Sequence, residues 1–138
     1  MGNEASSVAL KRVYEPPQPG DGMRVLVERL WPRGLSKERA RVDIWLKDVA
    51  PSHELRRWYG HDPARSAEFR RRYEAELAAE PARAALARLR ELAQHNHVTL
   101  VFAAHDAELS NAAVLRDLLR GGREGRVAAT GAPSRDPA

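Results

Sequence analysis

The segment Val98-Thr-Leu-Val-Phe-Ala-Ala104 decides the fold class, because it is an almost continuous apolar run. A strand with one solvent-exposed face alternates apolar and polar residues. A strand of a parallel sheet is covered on both faces and shows no such alternation. We therefore predict a central parallel strand over 98–104, covered on both sides.

Three further segments before this run are predicted to be extended. Residues 8–14 alternate in polarity, residues 24–30 are rich in branched strand formers, and residues 42–49 alternate again. The stretch 15–22 contains three prolines and two glycines, which predict a turn.

Helices are predicted where apolar residues recur every three or four positions. Ser36, Ser52 and Ser110 stand where an N-cap is expected, and Gly60 and Gly121-Gly122 stand where helices are expected to end. The predicted helices span 36–40, 52–60, 64–79, 81–94 and 110–122.

The order of these elements predicts a small single α/β domain. Its mainly parallel sheet has helices on both faces, in a Rossmann-like three-layer arrangement. A chain of 138 residues suffices for one core. We place the domain at 8–122, with disordered segments at 1–7 and 123–138, because those stretches lack an apolar pattern.

Composition excludes several classes of site and location. The chain has no cysteine, and therefore no disulfide, thiol nucleophile or zinc–thiolate centre. No apolar run approaches the ~20 residues that span a bilayer, and no signal peptide precedes the first strand, so a cytoplasmic location is expected. His95 and His97 lack a carboxylate at matching spacing, so no metal site is predicted.

The hexapeptide Arg29-Leu-Trp-Pro-Arg-Gly34, here called the arginine turn, is the first candidate site. Pro32 and Gly34 stop the preceding strand in a rigid turn. Arg29 and Arg33 bracket Trp31, and paired guanidinium donors suit a phosphorylated or flat anion. If so, Arg33→Lys should weaken anion binding, because lysine lacks the planar fork.

A second polar strand end follows residue 104. His105, Ser110 and Asn111 lie where a helix is expected to begin, and a helix N-terminus favours an anion. If the two strands are neighbours, these residues and Lys47 join the arginine turn in one anion pocket at the carboxyl edge. The alternatives are that Arg29 pairs internally with an acid and that Ser110 is only a cap.

Three functional hypotheses are compatible with the sequence. The leading one is binding of a small phosphorylated or nucleotide-like ligand, with the choice between enzyme and binder undecided and no cofactor implied. A rival is a nucleic-acid-associated accessory protein, which would use the arginine turn and the run Arg70-Arg71-Arg72. A third is an interaction module without chemistry. The net charge of +4 is spread among interleaved acids and bases.

The chain resembles the domain-of-unknown-function 488 family, in its short YeaO-like branch. The strongest matches are Lys11-Arg-Val-Tyr14, Asp21-Gly22, Arg24-Val-Leu-Val27 and the arginine turn, in order and at the expected spacing. Further matches are Trp45, Lys47, Pro51-Ser52, Glu54-Leu55-Arg56, Phe69, Tyr73, Glu76-Leu77 and Thr99-Leu100.

The resemblance implies a bacterial α/β domain whose activity is unassigned. Similar chains often carry Lys and then Asn-His where this chain has His105 and Ser110-Asn111, and more distant relatives carry Cys-His at that helix start. The resemblance therefore favours the arginine turn, with Arg29 and Arg33, over the 105–111 segment as a shared site.

Overall fold

The strands and helices are those of a computed structural model, which describes residues 7–128. The strands are β1 (Val8–Arg12), β2 (Met23–Leu26), β3 (Ile44–Trp45) and β4 (Val98–Phe102). The α-helices are α1 (Lys37–Ala40), α2 (His53–Tyr59), α3 (Ser66–Leu77), α4 (Ala82–His95) and α5 (Asn111–Ala128). Short 3-10 turns occupy 19–21, 47–49, 63–65 and 107–109.

β4 lies inside a four-stranded sheet in which every pairing is parallel, in the order β1-β4-β2-β3. Val98, Leu100 and Phe102 face one core cluster, and Val101 faces another. All five residues of the strand are buried. The prediction of a central parallel strand is confirmed, although the strand ends at Phe102.

The two crossovers that contain α-helices run in opposite directions across the sheet. The chain passes from β2 to its neighbour β3 through α1, and then returns past β2 to β4 through α2–α4. Right-handed crossovers in opposite directions place their helices on opposite faces. Accordingly, Ala40 of α1 packs with Leu26 and Val101 in the smaller cluster, whereas the other helices share the larger one. The predicted three-layer α/β fold is confirmed.

The strands predicted before β4 are shorter than expected. The segment 42–49 is extended only at Ile44–Trp45, because residues 47–49 form a 3-10 turn that buries Val49. The segment 24–30 pairs as a strand only to Leu26, and Leu30 is 71% exposed. Leu30 therefore belongs to the turn and not to the core.

The structure differs from the predicted elements near both ends of the described chain. The helix expected to stop at Gly121-Gly122 continues to Ala128. Glycine costs a helix about 1 kcal/mol but keeps its N–H, so the hydrogen-bond ladder is not interrupted. Ser7 accepts a hydrogen bond from the Val98 amide and extends the β1–β4 pairing. Residues 1–6 and 129–138 of the predicted tails lie outside the described residues.

The remaining helices agree with prediction to within a few residues. Ser52 caps α2 by accepting the Leu55 amide, and Gly60 ends it in the left-handed conformation at φ 55°. α4 begins directly after Pro81 and buries its Leu86–Leu89 stripe. The long helices therefore follow from local signals, and α2 is fixed at both ends.

Candidate functional site

The carboxyl ends of β2 and β4 meet at the point where the chain direction reverses. The segment after β2 leads to α1 on one face, whereas the segment after β4 leads to α5 on the other. Ligands of open α/β sheets bind in the crevice at such a switch point. Asn111, the first residue of α5, lies at this crevice. Its side-chain amide donates at 2.8 Å to the carbonyl of Val27, the residue that follows β2.

Ser110 and His105 differ in their surroundings at this edge. Ser110 is buried, donates its hydroxyl to the Ala107 carbonyl at 2.6 Å and accepts the Ala113 amide at 3.3 Å. These bonds are those of a helix cap. His105 is exposed in the loop that follows β4.

The arginine turn is held by backbone carbonyls. Arg29 donates to the carbonyls of Ala50 and Pro51 at 2.8 and 3.3 Å. Trp31 donates its indole N–H to the Leu35 carbonyl at 2.6 Å. Arg33 is exposed, and its own carbonyl accepts the Tyr14 hydroxyl at 3.0 Å. Hydrogen bonding therefore commits Arg29 and Trp31 to neighbouring loops.

Lys47 lies against an aromatic pair. Its Nζ is 4.4 Å from the ring centroid of Trp45, and Trp45 meets Trp31 edge-on at 5.4 Å. Both rings pack against the smaller core cluster. The structure thus groups Trp31 with Lys47, and groups Ser110 with Asn111.

The loop over residues 49–52, which leads into α2, is fixed by three side chains from elsewhere in the fold. Tyr73 donates its hydroxyl to the Val49 carbonyl, and Arg29 binds the next two carbonyls. Glu76 accepts the Ser52 amide at 2.8 Å and the Ser52 hydroxyl at 2.6 Å. Burial raises the pKa of Tyr73, which keeps this hydroxyl a donor. The start of α2 is therefore preorganised.

A cavity of about 150 Å³ opens beside this fixed helix. It is lined by Pro51, His53, Arg56, Arg57, Tyr59, His61, Phe69 and Asn111. The lining contains two arginines and two histidines but no carboxylate. Within the described residues, neither Arg56 nor Arg57 has an ion-pair or hydrogen-bond partner for its guanidinium group. The cavity therefore offers uncommitted cationic donors.

Buried aromatic rings form the apolar part of the cavity. Tyr59 and Phe69 stack with centroids 4.0 Å apart and planes at 11°, and His61 lies 5.6 Å from Tyr59. Tyr59 is 4% exposed, yet no group in the described chain hydrogen-bonds its hydroxyl. Burial, reinforced by the negative charge of Asp106, raises the pKa of Tyr59. The hydroxyl of this cavity-lining residue therefore has no partner within the described chain.

His61 has an unusual backbone. Its φ is +55°, and it follows Gly60 with the same value. A residue with a Cβ is disfavoured there, and such strain clusters at ligand sites. The strained turn brings His61 back over the Tyr59 ring.

Sequence reasoning missed most of this cavity. His53, Arg56 and Arg57 stand at i, i+3 and i+4, and that spacing places them on one side of a helix. The same spacing is found on any solvent-exposed helix face. Only the folded chain shows that Phe69 and Asn111 lie beside these three residues and complete a cavity. Asn111 is the one predicted site residue that lines the cavity.

The helical arginine run is paired with acids. Arg70 pairs with Asp117 at 2.7 Å, and both Arg71 and Arg72 pair with Glu68. Phosphate binding by this run would first require these pairs to open.

A larger open groove of about 910 Å³ lies over the opposite face, between the proline-rich turn and α1. Its lining mixes the acids Glu15, Glu38 and Asp43 with Arg24, Arg39 and Arg41. The charges are balanced, so this groove has no preference for an anion.

Two kinds of feature are absent from residues 7–128. Among residues 7–128, no helix is both long and apolar enough to cross a membrane. The same part of the chain holds no cluster of three or more metal-binding side chains.

Residues 7–136 match the family model described as the inactive DUF488-N3 subclade. The chain belongs to the DUF488 family. The DUF488 chain is 53% identical to the uncharacterized protein Rv3073c of Mycobacterium tuberculosis over 114 residues, which cover 83% of this chain and 94% of that protein. It is 40% identical to the uncharacterized protein YeaO of Escherichia coli over 114 residues, 83% of this chain and 97% of YeaO.

These matches confirm the resemblance to the YeaO-like branch of DUF488 and its bacterial setting. No solved structure matches this DUF488 chain. The comparisons name the family and no activity.

Proposed function

We propose that this protein binds a small anionic ligand, of the phosphorylated class, in the cavity beside α2. The observation that carries the proposal is the pair of unpartnered arginines, Arg56 and Arg57, in a lining that contains no acid. A guanidinium group that bonds no protein acceptor can give its donors to a phosphate or carboxylate.

The surroundings favour binding over turnover. The matching family is described as an inactive subclade, and the residues of the cavity supply cations and a neutral hydroxyl. Ser110 is used as a cap and is not among the lining residues. The fixed 49–52 loop holds the start of α2, and with it the backbone that carries both arginines, in place before the ligand arrives, which lowers the entropic cost of binding.

Calorimetric titration with inorganic phosphate and with phenyl phosphate tests the proposal. Arg56→Gln and Arg57→Gln should each weaken binding roughly ten- to hundredfold, the effect of losing one charge-assisted contact. Arg88→Gln is the matched control, because Arg88 is an exposed arginine of α4 outside the cavity. It removes the same charge and should leave affinity unchanged.

Two results would overturn the proposal. One is equal weakening by Arg88→Gln, which would indicate a general charge effect. The other is binding of a DNA or RNA oligonucleotide with a steep salt dependence and no binding of either small anion, which would favour the nucleic-acid alternative.

A further inference from the structure

The size and the aromatic lining of the α2 cavity restrict the ligand further than its charge does. We infer that the ligand is a planar, single-ring aromatic anion, with the ring against Tyr59 and Phe69 and the anionic group at Arg56 and Arg57. This inference rests on the proposed function and names the chemical class of its ligand.

The volume of the cavity matches a single aromatic ring. The cavity measures about 150 Å³, and an apolar protein cavity of about that volume holds benzene. Pockets that enclose whole drug-sized molecules measure about 300–1,000 Å³. A single ring therefore fills this space, whereas a complete nucleotide does not fit inside it.

The lining of the cavity combines aromatic and cationic side chains. Two stacked rings, two imidazoles and two guanidinium groups surround the space. Aromatic rings prefer offset or edge contacts with other rings, and arginine stacks on aromatic faces. A bare inorganic anion would use only the cationic part of the lining, whereas an aromatic anion uses both parts.

The Tyr59 hydroxyl favours a ligand with a hydrogen-bond acceptor. It has no partner in the described chain, and a tyrosine hydroxyl, with an ordinary pKa of 10.0, is protonated at neutral pH. A protonated phenol donates to an acceptor such as a phosphate or carboxylate oxygen. The anionic substituent of the ligand supplies that acceptor.

Three charged side chains surround the cavity from neighbouring segments. Asp106, Asp62 and Arg70 act on the Tyr59 hydroxyl from outside the lining. Asp62 also approaches Arg65 at 3.8 Å, and Arg70 is paired with Asp117. The uncommitted charge in the cavity is therefore positive, and the ligand is anionic rather than cationic.

Four probes test the inference by calorimetry: phenyl phosphate, cyclohexyl phosphate, inorganic phosphate and AMP. Phenyl phosphate should bind at least tenfold more tightly than each of the others. Cyclohexyl phosphate has the same charge and a similar volume but is not flat, so it isolates the contribution of the aromatic ring.

Tyr59→Phe is the matched variant, because it removes one hydroxyl and keeps the stack on Phe69. It should retain the melting temperature of the parent and weaken phenyl phosphate severalfold or more. An unchanged affinity would overturn the role of the hydroxyl. Should Tyr59→Phe melt early, phenyl phosphate quenching of tyrosine fluorescence in the parent protein reports the ring contact instead, and absence of quenching overturns it.

The outcomes separate this inference from the proposed function. Inorganic phosphate, cyclohexyl phosphate or AMP binding as tightly as phenyl phosphate, with sensitivity to Arg56→Gln, overturns the aromatic ligand and leaves the anion site standing. Failure of all four probes to bind overturns both.

Discussion

The arginine turn and helix α2 each carry two arginines within a few residues, yet they use them differently. In the turn, Arg29 donates to two carbonyls of the loop that precedes α2. In α2, Arg56 and Arg57 line a cavity and have no partner among the described residues. A guanidinium group that already serves backbone acceptors stabilises the fold, and one that lacks acceptors is available to a ligand. Hydrogen bonding, more than sequence distinctiveness, separates the two roles.

Arg24 is the extreme case of a bracing arginine, so its loss should give the largest effect. It is 3% exposed, pairs with Asp21 at 2.7 Å and donates to the carbonyls of Ala40 and Arg41. Arg24→Met should cost about 3–5 kcal/mol, because it leaves a buried carboxylate and buried carbonyls without this partner. Urea unfolding measures the loss. A cost below about 1 kcal/mol would contradict the bracing role.

Arg29→Gln sharpens the comparison between the turn and α2. We expect a loss of about 1–3 kcal/mol of unfolding free energy, because two carbonyls lose a charged donor. Arg57→Gln should change stability by less than about 0.5 kcal/mol, as an exposed position without partners. Parallel urea titrations of the two variants test this contrast. Equal costs would remove the distinction between bracing and available arginines.

Acid should affect the bracing region through Asp21. Burial opposes its ionisation, but hydrogen bonds from the Gln18 amide, Lys11 and Arg24 outweigh that effect and hold the pKa of Asp21 below its ordinary value of 3.8. The resulting stability is present above pH 3.8 and is lost as the pH falls through the lower folded-state pKa.

Urea midpoints measured from pH 6 to pH 2 give this contribution as the difference between the parent and Asp21→Asn. The difference should be largest at pH 6 and shrink toward pH 2. A difference that stays constant with pH would contradict the low pKa.

Arg33→Lys should have the smallest effect. The Arg33 side chain is exposed, and its contact with Tyr14 runs through the backbone carbonyl. We expect stability to change by less than about 0.5 kcal/mol and the affinity for phenyl phosphate to stay the same. A ten- to hundredfold loss of affinity would instead place the anion at the arginine turn.

Much of the fold could be predicted because its signals are local. The unalternating run at 98–104 specifies a covered parallel strand, and Ser52 and Gly60 delimit α2. The prediction failed where tertiary contacts override local preference. The segment after Trp45 alternates like a strand, but burial of Val49 and its bond to Tyr73 bend it into a 3-10 turn.

The candidate site was harder to predict, because a cavity is made by residues distant in the chain. Asn111 was accessible to sequence reasoning, since it begins a helix after a predicted strand. The spacing of Arg56 and Arg57 says nothing about whether an acid lies nearby, and the acids that pair with Arg70 and Arg72 show that this question decides availability.

The sequence by itself determined the class of the fold, the parallel central strand, the limits of the long internal helices and the DUF488 family. Those properties follow from apolar periodicity, capping residues and a specific run of residues, which act over short stretches of chain. The tertiary structure alone decided which arginines are hydrogen-bonded to backbone carbonyls and which line an open cavity. Hydrogen-bond satisfaction depends on groups brought together by folding, and no local pattern records it.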